Sequence, residues 1–272
     1  MTRPLDGITV VTLEHAIAAP FCTRQLADLG ARVIKVERPG TGDFARAYDE
    51  RVNGMASHFV WTNRSKESLS LDVKHPEAHK VLEKLLEEAD VLVQNLAPGA
   101  AARLGLSFQP LHEKHPQLIV CDISGYGDDP EEPGPYRDKK AYDLLIQSES
   151  GFLSITGTPQ SPSKAGNSIA DISAGMYAYS SILAALLQRG RTGRGTRIDE
   201  EARASDERRI HLSLRRPARA DRDHVRARLH PAVLEDRRRR RSRQDDDVSA
   251  DDRLAGMVDG GDRVRGGLQA VP

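Results

Sequence analysis

Among 272 residues, the side chain best placed to do chemistry is Asp171, the acid of Asp171-Ile172-Ser173-Ala174-Gly175 at the head of a long apolar segment. On spacing alone the carboxylate is an N-cap, its oxygen taking one of the free amides of a first helical turn. The same position suits a nucleophile, because the helix dipole keeps the acid ionised and nearby N–H groups stabilise developing charge. The residues alone leave both readings open.

Three other constellations carry less. The first strand is followed by His15-Ala16-Ile17-Ala18-Ala19-Pro20, where a dinucleotide site needs Gly-x-Gly-x-x-Gly; Glu37, ending the second strand, therefore has no pyrophosphate turn beside it, and a nicotinamide cofactor is not expected. His75 and His79 stand four apart in a helical pattern, but no third ligand has suitable spacing, so no metal is expected and solvent-facing polar residues are the expected role. The run Arg237 to Arg241 is answered by Asp245, Asp246 and Asp247 and has no interleaved aromatics, which argues against nucleic acid.

The elements that must position these groups alternate. Ile8 to Leu13, Arg32 to Glu37, Ser68 to Leu71, Val91 to Gln94 and Leu118 to Ile123 read as strands; Pro20 to Leu29, Pro76 to Glu88, Tyr142 to Gly151 and Asp171 to Gln188 read as helices, with Ala100 to Leu104 a helical turn and Gly190 beyond the last helix. The fold class expected is α/β, a doubly wound, mostly parallel open sheet whose ligands lie beyond the carboxyl ends of the strands. His15, Arg38, Asn95 and the Gly125 to Gly127 turn all follow strands and are expected on that edge.

The pattern breaks near Asp199, giving an expected domain of residues 1–199 and a tail of residues 200–272. Beyond Tyr179 there is no Phe, Tyr or Trp, and beyond Lys164 no Lys, so the tail is charged by Arg and Asp. It has neither strand nor helix periodicity, is expected to be disordered, and resembles a GC-rich gene read out of frame. Across the whole chain, 40 basic and 40 acidic residues cancel, which leaves little field to attract nucleic acid. Cys22 and Cys121 lie far apart, and the N-terminus MTRPLDGITVV lacks a secretory pattern; the expected setting is the cytoplasm. The longest apolar run noted, Ile182 to Leu187, falls short of the roughly twenty residues of a membrane span, so no membrane partner is expected.

Four segments in succession, LDGITVVTLEHAIAAPFCTRQLADLGARVIKVERPGTGD, LSLDVKHPEAHKVLEKLLEEADVLVQNLAPGAAARLGL, CDISGYGDDPEEPGPYRDKKAYDLLIQSESG and GNSIADISAGMYAYSSILAALLQR, resemble the class III CoA-transferases of the formyl-CoA transferase and carnitine CoA-transferase type. The resemblance implies Asp171 as nucleophile, and CoA contacts at His15, Ala16, Arg38, Leu71, Lys74, Asn95, Arg103, Lys140 and Tyr142. It implies acyl-CoA as substrate with no tightly bound cofactor, a small carboxylic acid as second substrate, and a homodimer. Its chemistry is ping-pong exchange through an aspartyl-CoA thioester. A CoA 3′-phosphate and pyrophosphate would want the Arg and Lys residues named.

Two departures qualify this. The related α-methylacyl-CoA racemases have a histidine where this chain has Tyr142, and a phenol is a poor partner for acid/base work near neutral pH, which favours transfer over racemisation. Ile17 stands in place of a substrate-contacting glutamine, favouring a larger, more apolar acyl group. The family also continues into a second domain with a glycine-rich closing loop, which residues 200–272 do not resemble. A truncated, poorly active transferase is therefore expected, with a racemase or isomerase of the same fold, or a non-catalytic CoA-binding protein, as the alternatives.

Overall fold

In the computed structural model, residues 2–129, 133–158 and 160–201 are described. Strand β1 (Thr9–Leu13) leads through helix α1 (Ala18–Asp28) to β2 (Arg32–Glu37), a short 3-10 turn (Phe44–Ala47), α2 (Ser57–Asn63) and β3 (Glu67–Ser70). Then α3 (Ala78–Glu87) carries the chain back across the sheet to β4 (Val91–Gln94), followed by α4 (Ala100–Arg103), α5 (Phe108–Lys114) and β5 (Ile119–Ser124). After α6 (Asp143–Glu149), a 3-10 turn (Phe152–Ile155) and a small antiparallel ribbon of β6 (Gly157–Thr158) and β7 (Ser161–Pro162), the long helix α7 (Ile169–Thr192) returns to β8 (Arg197–Glu201).

The six-stranded sheet has the order β3-β2-β1-β4-β5-β8, with every neighbouring pair parallel. Parallel strands are covered on both faces, which is why β1, β4 and β5 are apolar runs rather than alternations. Successive residues divide between the faces: Val10, Val91, Val93, Ile119 and Cys121 pack beneath α1 and α7, whereas Val11, Leu92, Leu118 and Val120 meet Leu82 and Leu86 of α3 and Leu111 of α5. Cys22 and Cys121 are both buried thiols in the first of these cores.

Helix α7 lies against α1 at Gly175, where a β-carbon would stand 2.6 Å from the Ala18 carbonyl oxygen and 3.0 Å from the Phe21 ring. The glycine thus sets how closely the two helices approach. Contrary to the expectation from the run Ile182 to Leu187, α7 is long and apolar enough to span a bilayer by length and composition, and here Ala174, Ala178, Ile182 and Ala185 are buried in the core. Its end also differs from expectation: Gly190 is helical, and Gly193, at φ 67°, is the left-handed terminator. Helix α1 begins at Ala18, so Pro20 sits in its first turn, where its missing N–H costs no helix bond. Helix α3 begins at Ala78, leaving His75 in the preceding turn, where its Nδ1 accepts from the Glu77 amide at 3.2 Å. Strand β8 runs through Glu201, and the remainder of the 200–272 segment lies outside the described residues.

Candidate functional site

The sheet order reverses between β1 and β4, so the loops leaving their carboxyl ends diverge and open a crevice. Asn95, just after β4, grips the first loop: its Oδ1 accepts from the His15 amide and its Nδ2 donates to the His15 carbonyl, each at 2.9 Å. Next in the loop, Ala16 takes the left-handed conformation at φ 63°, and its amide donates to Asp43 Oδ1 at 3.1 Å. Beside this loop is a cavity of about 440 Å³ lined by His15, Arg38, Leu71, Lys74 and Arg103, with Val73, His79, Leu96 and Leu104 adding surface.

The Arg and Lys side chains of the cavity wall stand apart from the other cations. Elsewhere Arg32 meets Glu67, Arg46 meets Glu37, Arg64 meets Asp28, Arg189 meets Asp90 and Arg197 meets Asp122. Among the described residues, Arg38, Lys74 and Arg103 have no such acid. Three exposed cations beside apolar Leu71, Val73 and Leu104 form a surface that fits a phosphorylated ligand with a flat apolar portion. Glu37, the one acid on the wall, is already engaged: its oxygens accept from Arg46 at 3.0 and 2.8 Å, from the Ser68 hydroxyl at 2.5 Å and from the Asp43 amide at 3.0 Å. Burial drives the Glu37 carboxyl upward, but these donors outweigh it and hold it at about 2. The Nδ1 atom of His15 is buried without a hydrogen-bond partner among the described residues, and burial pushes this imidazole below its ordinary pKa.

Asp171 occupies the third position of α7 rather than its cap. The cap position is Ser168, and the amide of Ala170 is satisfied from another element, by Asp143 Oδ1 at 3.0 Å. Asp143 is itself fixed by Gln147, which donates to its Oδ2 at 2.6 Å. With the capping role filled, Asp171 is partly buried with no hydrogen bond or ion pair among the described residues. Burial first, and then the Asp143 charge, push its carboxyl up to about 7. The expectation that the helix dipole alone would keep it ionised therefore needs correcting, because desolvation outweighs the dipole here.

A row of aromatic rings extends from His15 on the cavity wall. The His15 and Phe44 rings stack with centroids 5.6 Å apart, and Phe44 meets Tyr48 at 6.0 Å. The Tyr48 phenol is pushed upward by burial and then by the charges of Asp43 and Asp171, with Tyr142 also acting on it. Lys140 and Tyr142 do not line the cavity; they precede α6 on the Asp171 side, where Gly125 abuts Ala141 so closely that a β-carbon would collide with it.

The structure thus brings His15, Arg38, Leu71, Lys74 and Arg103 around one cavity, sets Ala16 and Asn95 in its supporting loops, and leaves Lys140 and Tyr142 off the cavity wall, just ahead of α6. Asn95 commits its amide to the His15 backbone. Ile17 is 6% exposed and faces the core rather than the cavity. His79 is exposed, as read from sequence, and also borders the cavity, and among the described residues no three His, Cys, Asp or Glu side chains converge for a metal. Tyr48, Phe44, Asp43 and Asp143 escaped the sequence reading.

Comparison with known proteins adds the following. The sequence model described as CoA-transferase family III matches residues 5–205. Succinate--glutarate CoA-transferase of Agrobacterium fabrum is 42% identical over 204 residues, 72% of this chain and 50% of the relative. Succinyl-CoA:glutarate CoA-transferase of Mus musculus is 38% identical over 199 residues, 72% of this chain and 45% of the relative. Formyl-CoA:oxalate CoA-transferase of Rhodopseudomonas palustris is 40% identical over 200 residues, 73% of this chain and 46% of the relative. Among solved structures, a CAIB/BAIF family protein from Brucella suis superposes with a TM-score of 0.70 at 37% identity, covering 76% of this chain and 55% of that one. The chain spans about half the length of the curated relatives it matches.

Proposed function

Because this chain belongs to CoA-transferase family III, we propose that it binds an acyl-CoA in the cavity between β1 and β4 and accepts the acyl group on Asp171. The observation that carries this reading is the condition of that carboxylate: partly buried, without a hydrogen bond or ion pair among the described residues, and displaced from any capping duty by Asp143. A carboxyl held up to about 7 is ionised for about half the molecules at neutral pH, and a desolvated anion is a better nucleophile than a hydrated one. The three unpaired cations supply charge for the phosphates of CoA.

The chemistry balances without any net proton. An Asp171 oxygen attacks the thioester carbonyl, the C–S bond breaks, and CoA departs as thiolate from a mixed anhydride. The thiolate then attacks the Asp171 carbonyl carbon, releasing the donor acid as carboxylate and leaving an aspartyl-CoA thioester. An acceptor carboxylate attacks that thioester, the C–S bond breaks, and the thiolate leaves a second mixed anhydride between the acceptor and Asp171. The thiolate finally takes the new acyl group and restores the Asp171 carboxylate. Water competes for both anhydrides, so the partial burial of Asp171 favours transfer over hydrolysis. The names of the relatives support a dicarboxylic acid such as succinate or glutarate as the acceptor to test first. Homodimer formation and a cytoplasmic setting belong to the same proposal.

The family match ends at residue 205, which leaves residues 206–272 outside it. Steady-state turnover of this chain is therefore proposed to be slow, and a single-turnover measurement is the direct test. Full-length chain is mixed with succinyl-CoA, quenched and digested, and the peptide containing Asp171 is weighed. A CoA adduct that is absent in Asp171→Ala supports the reading. CoA binding without any adduct would reduce the chain to a binding protein, and deuterium exchange at the acyl α-carbon without an adduct would make it an isomerase.

A further inference from the structure

Below the His15–Ile17 loop lies a layer of buried charge that the transfer chemistry does not call for. Asp43 is completely buried, and its Oδ2 accepts from Lys35 Nζ at 2.6 Å while its Oδ1 accepts from the Ala45 amide at 2.9 Å and the Ala16 amide at 3.1 Å. Lys35, with a side chain 2% exposed, also reaches Asn63 Oδ1 at 2.7 Å and Glu14 at 3.8 Å. The second acid of this layer is separately matched, since Glu14 Oε1 accepts from Lys66 at 2.6 Å and its Oε2 accepts from Thr12 and Thr23 at 2.8 and 2.7 Å.

The bond to Ala45 is what any acid capping the 3-10 turn would make. The bond to Ala16 is different, because it reaches 27 residues back in the chain to a backbone unit at φ 63°. An alanine populates that region roughly tenfold less than the right-handed one, so something must hold it there. Asn95 holds the preceding residue from the β4 side, and the stacked Phe44 ring, one residue beyond Asp43, covers His15 from the other. We propose that Asp43, fixed by Lys35, is a positioning residue whose carboxylate pins Ala16 in the left-handed conformation and so sets the loop that walls the CoA cavity.

This inference rests on the reading of the cavity as a CoA site only for its effect on binding; the backbone claim stands by itself. The test uses the full chain carrying Lys35→Met together with Asp43→Ala. That pair removes both charges at once and leaves no buried ion unmatched, while Glu14 keeps Lys66. In ¹³C,¹⁵N-labelled protein, the HN–Hα coupling and carbon shifts of Ala16 are expected to leave left-handed values. By calorimetry, the Kd for coenzyme A is expected to rise about tenfold. Adding Ala16→Gly, which reaches positive φ at no steric cost, is expected to recover most of that affinity.

A folded double variant in which Ala16 keeps its left-handed signature overturns the proposal, as does unchanged CoA affinity in a variant whose loop has moved. Failure of the unaltered chain to bind coenzyme A counts against the function proposed above, and the Ala16 signature still decides the positioning role. Should the double variant not fold, Ala16→Val leaves the buried charges intact and places a β-branched residue where φ is positive. Coenzyme A binding that survives this change without loss would equally overturn the proposal.

Discussion

Replacing Asp171 with asparagine should make the protein more stable in neutral and alkaline solution, although it removes the proposed nucleophile. In the folded protein the carboxyl is held at about 7 against an ordinary value of 3.8, by burial first and the Asp143 charge second. Each tenfold change in proton affinity is worth 1.36 kcal/mol, so a gap of about three decades corresponds to about 4 kcal/mol, reduced to about 2–4 because the side chain keeps some contact with water. The sign follows from which state gives up its proton first. Below about pH 4 both states hold it and nothing is lost. Between about 4 and 7 the unfolded chain ionises while the folded one resists, so stability falls as pH rises, and above about 7 the penalty is constant. The Asp171→Asn variant, with a neutral amide at this position, carries no such penalty. Urea unfolding followed by far-UV circular dichroism at pH 3.5, 6, 7.5 and 8.5 should show the two proteins nearly equal at the lowest pH and separated by about 2–4 kcal/mol at the highest. A constant difference across that range, or a variant less stable at pH 8.5, would refute the account of Asp171 as a desolvated acid.

Arg38→Ala, Lys74→Ala and Arg103→Ala should each raise the calorimetric Kd for CoA about fivefold, about 1 kcal/mol for an exposed phosphate contact, while leaving thermal stability unchanged. At least one of the three should matter less for dephospho-CoA, which lacks the 3′-phosphate. Gly175→Ala forces a β-carbon to within 2.6 Å of the Ala18 carbonyl oxygen, so α7 must shift from α1 at a cost of about 1–3 kcal/mol, measurable by denaturant unfolding. Glu14→Gln should cost about 3 kcal/mol by orphaning buried Lys66. Burial raises the Glu14 carboxyl, but Lys66 and Lys35 outweigh it and hold it below the ordinary 4.5. The wild-type advantage is therefore full near neutrality and should shrink as acid protonates Glu14, which paired unfolding curves at pH 7 and pH 3.5 can follow.

The parts of the fold legible in the sequence are those buried on both sides. Strands β1, β4 and β5 are largely apolar or β-branched runs because helices cover both faces of the sheet, β2 carries Val33, Ile34 and Val36 between its charges, and α3 shows its inner stripe at Ala78, Leu82 and Leu86. Helices α2 and α5 have seven residues each, too short for a helical period to declare itself, and β8 buries only Ile198. The site divides in the same way. Motif positions give Asp171 and the cavity cations, whereas Asp143 and Tyr48 enter through contacts between segments distant in the chain. That is also why the cap reading failed, since the amide at issue is satisfied from 27 residues upstream.

The all-parallel order bears on how the molecule reaches its shape. No pair of neighbouring strands in the large sheet can close as a local hairpin, and β1 must find β4 across more than eighty positions, with Val10 opposite Val91. Such distant pairings pay their loop entropy before any contact rewards them and set slow rates of refolding. Since the crevice exists only once those two central strands have met, a chain in which they are still apart offers no crevice for a nucleotide to hold.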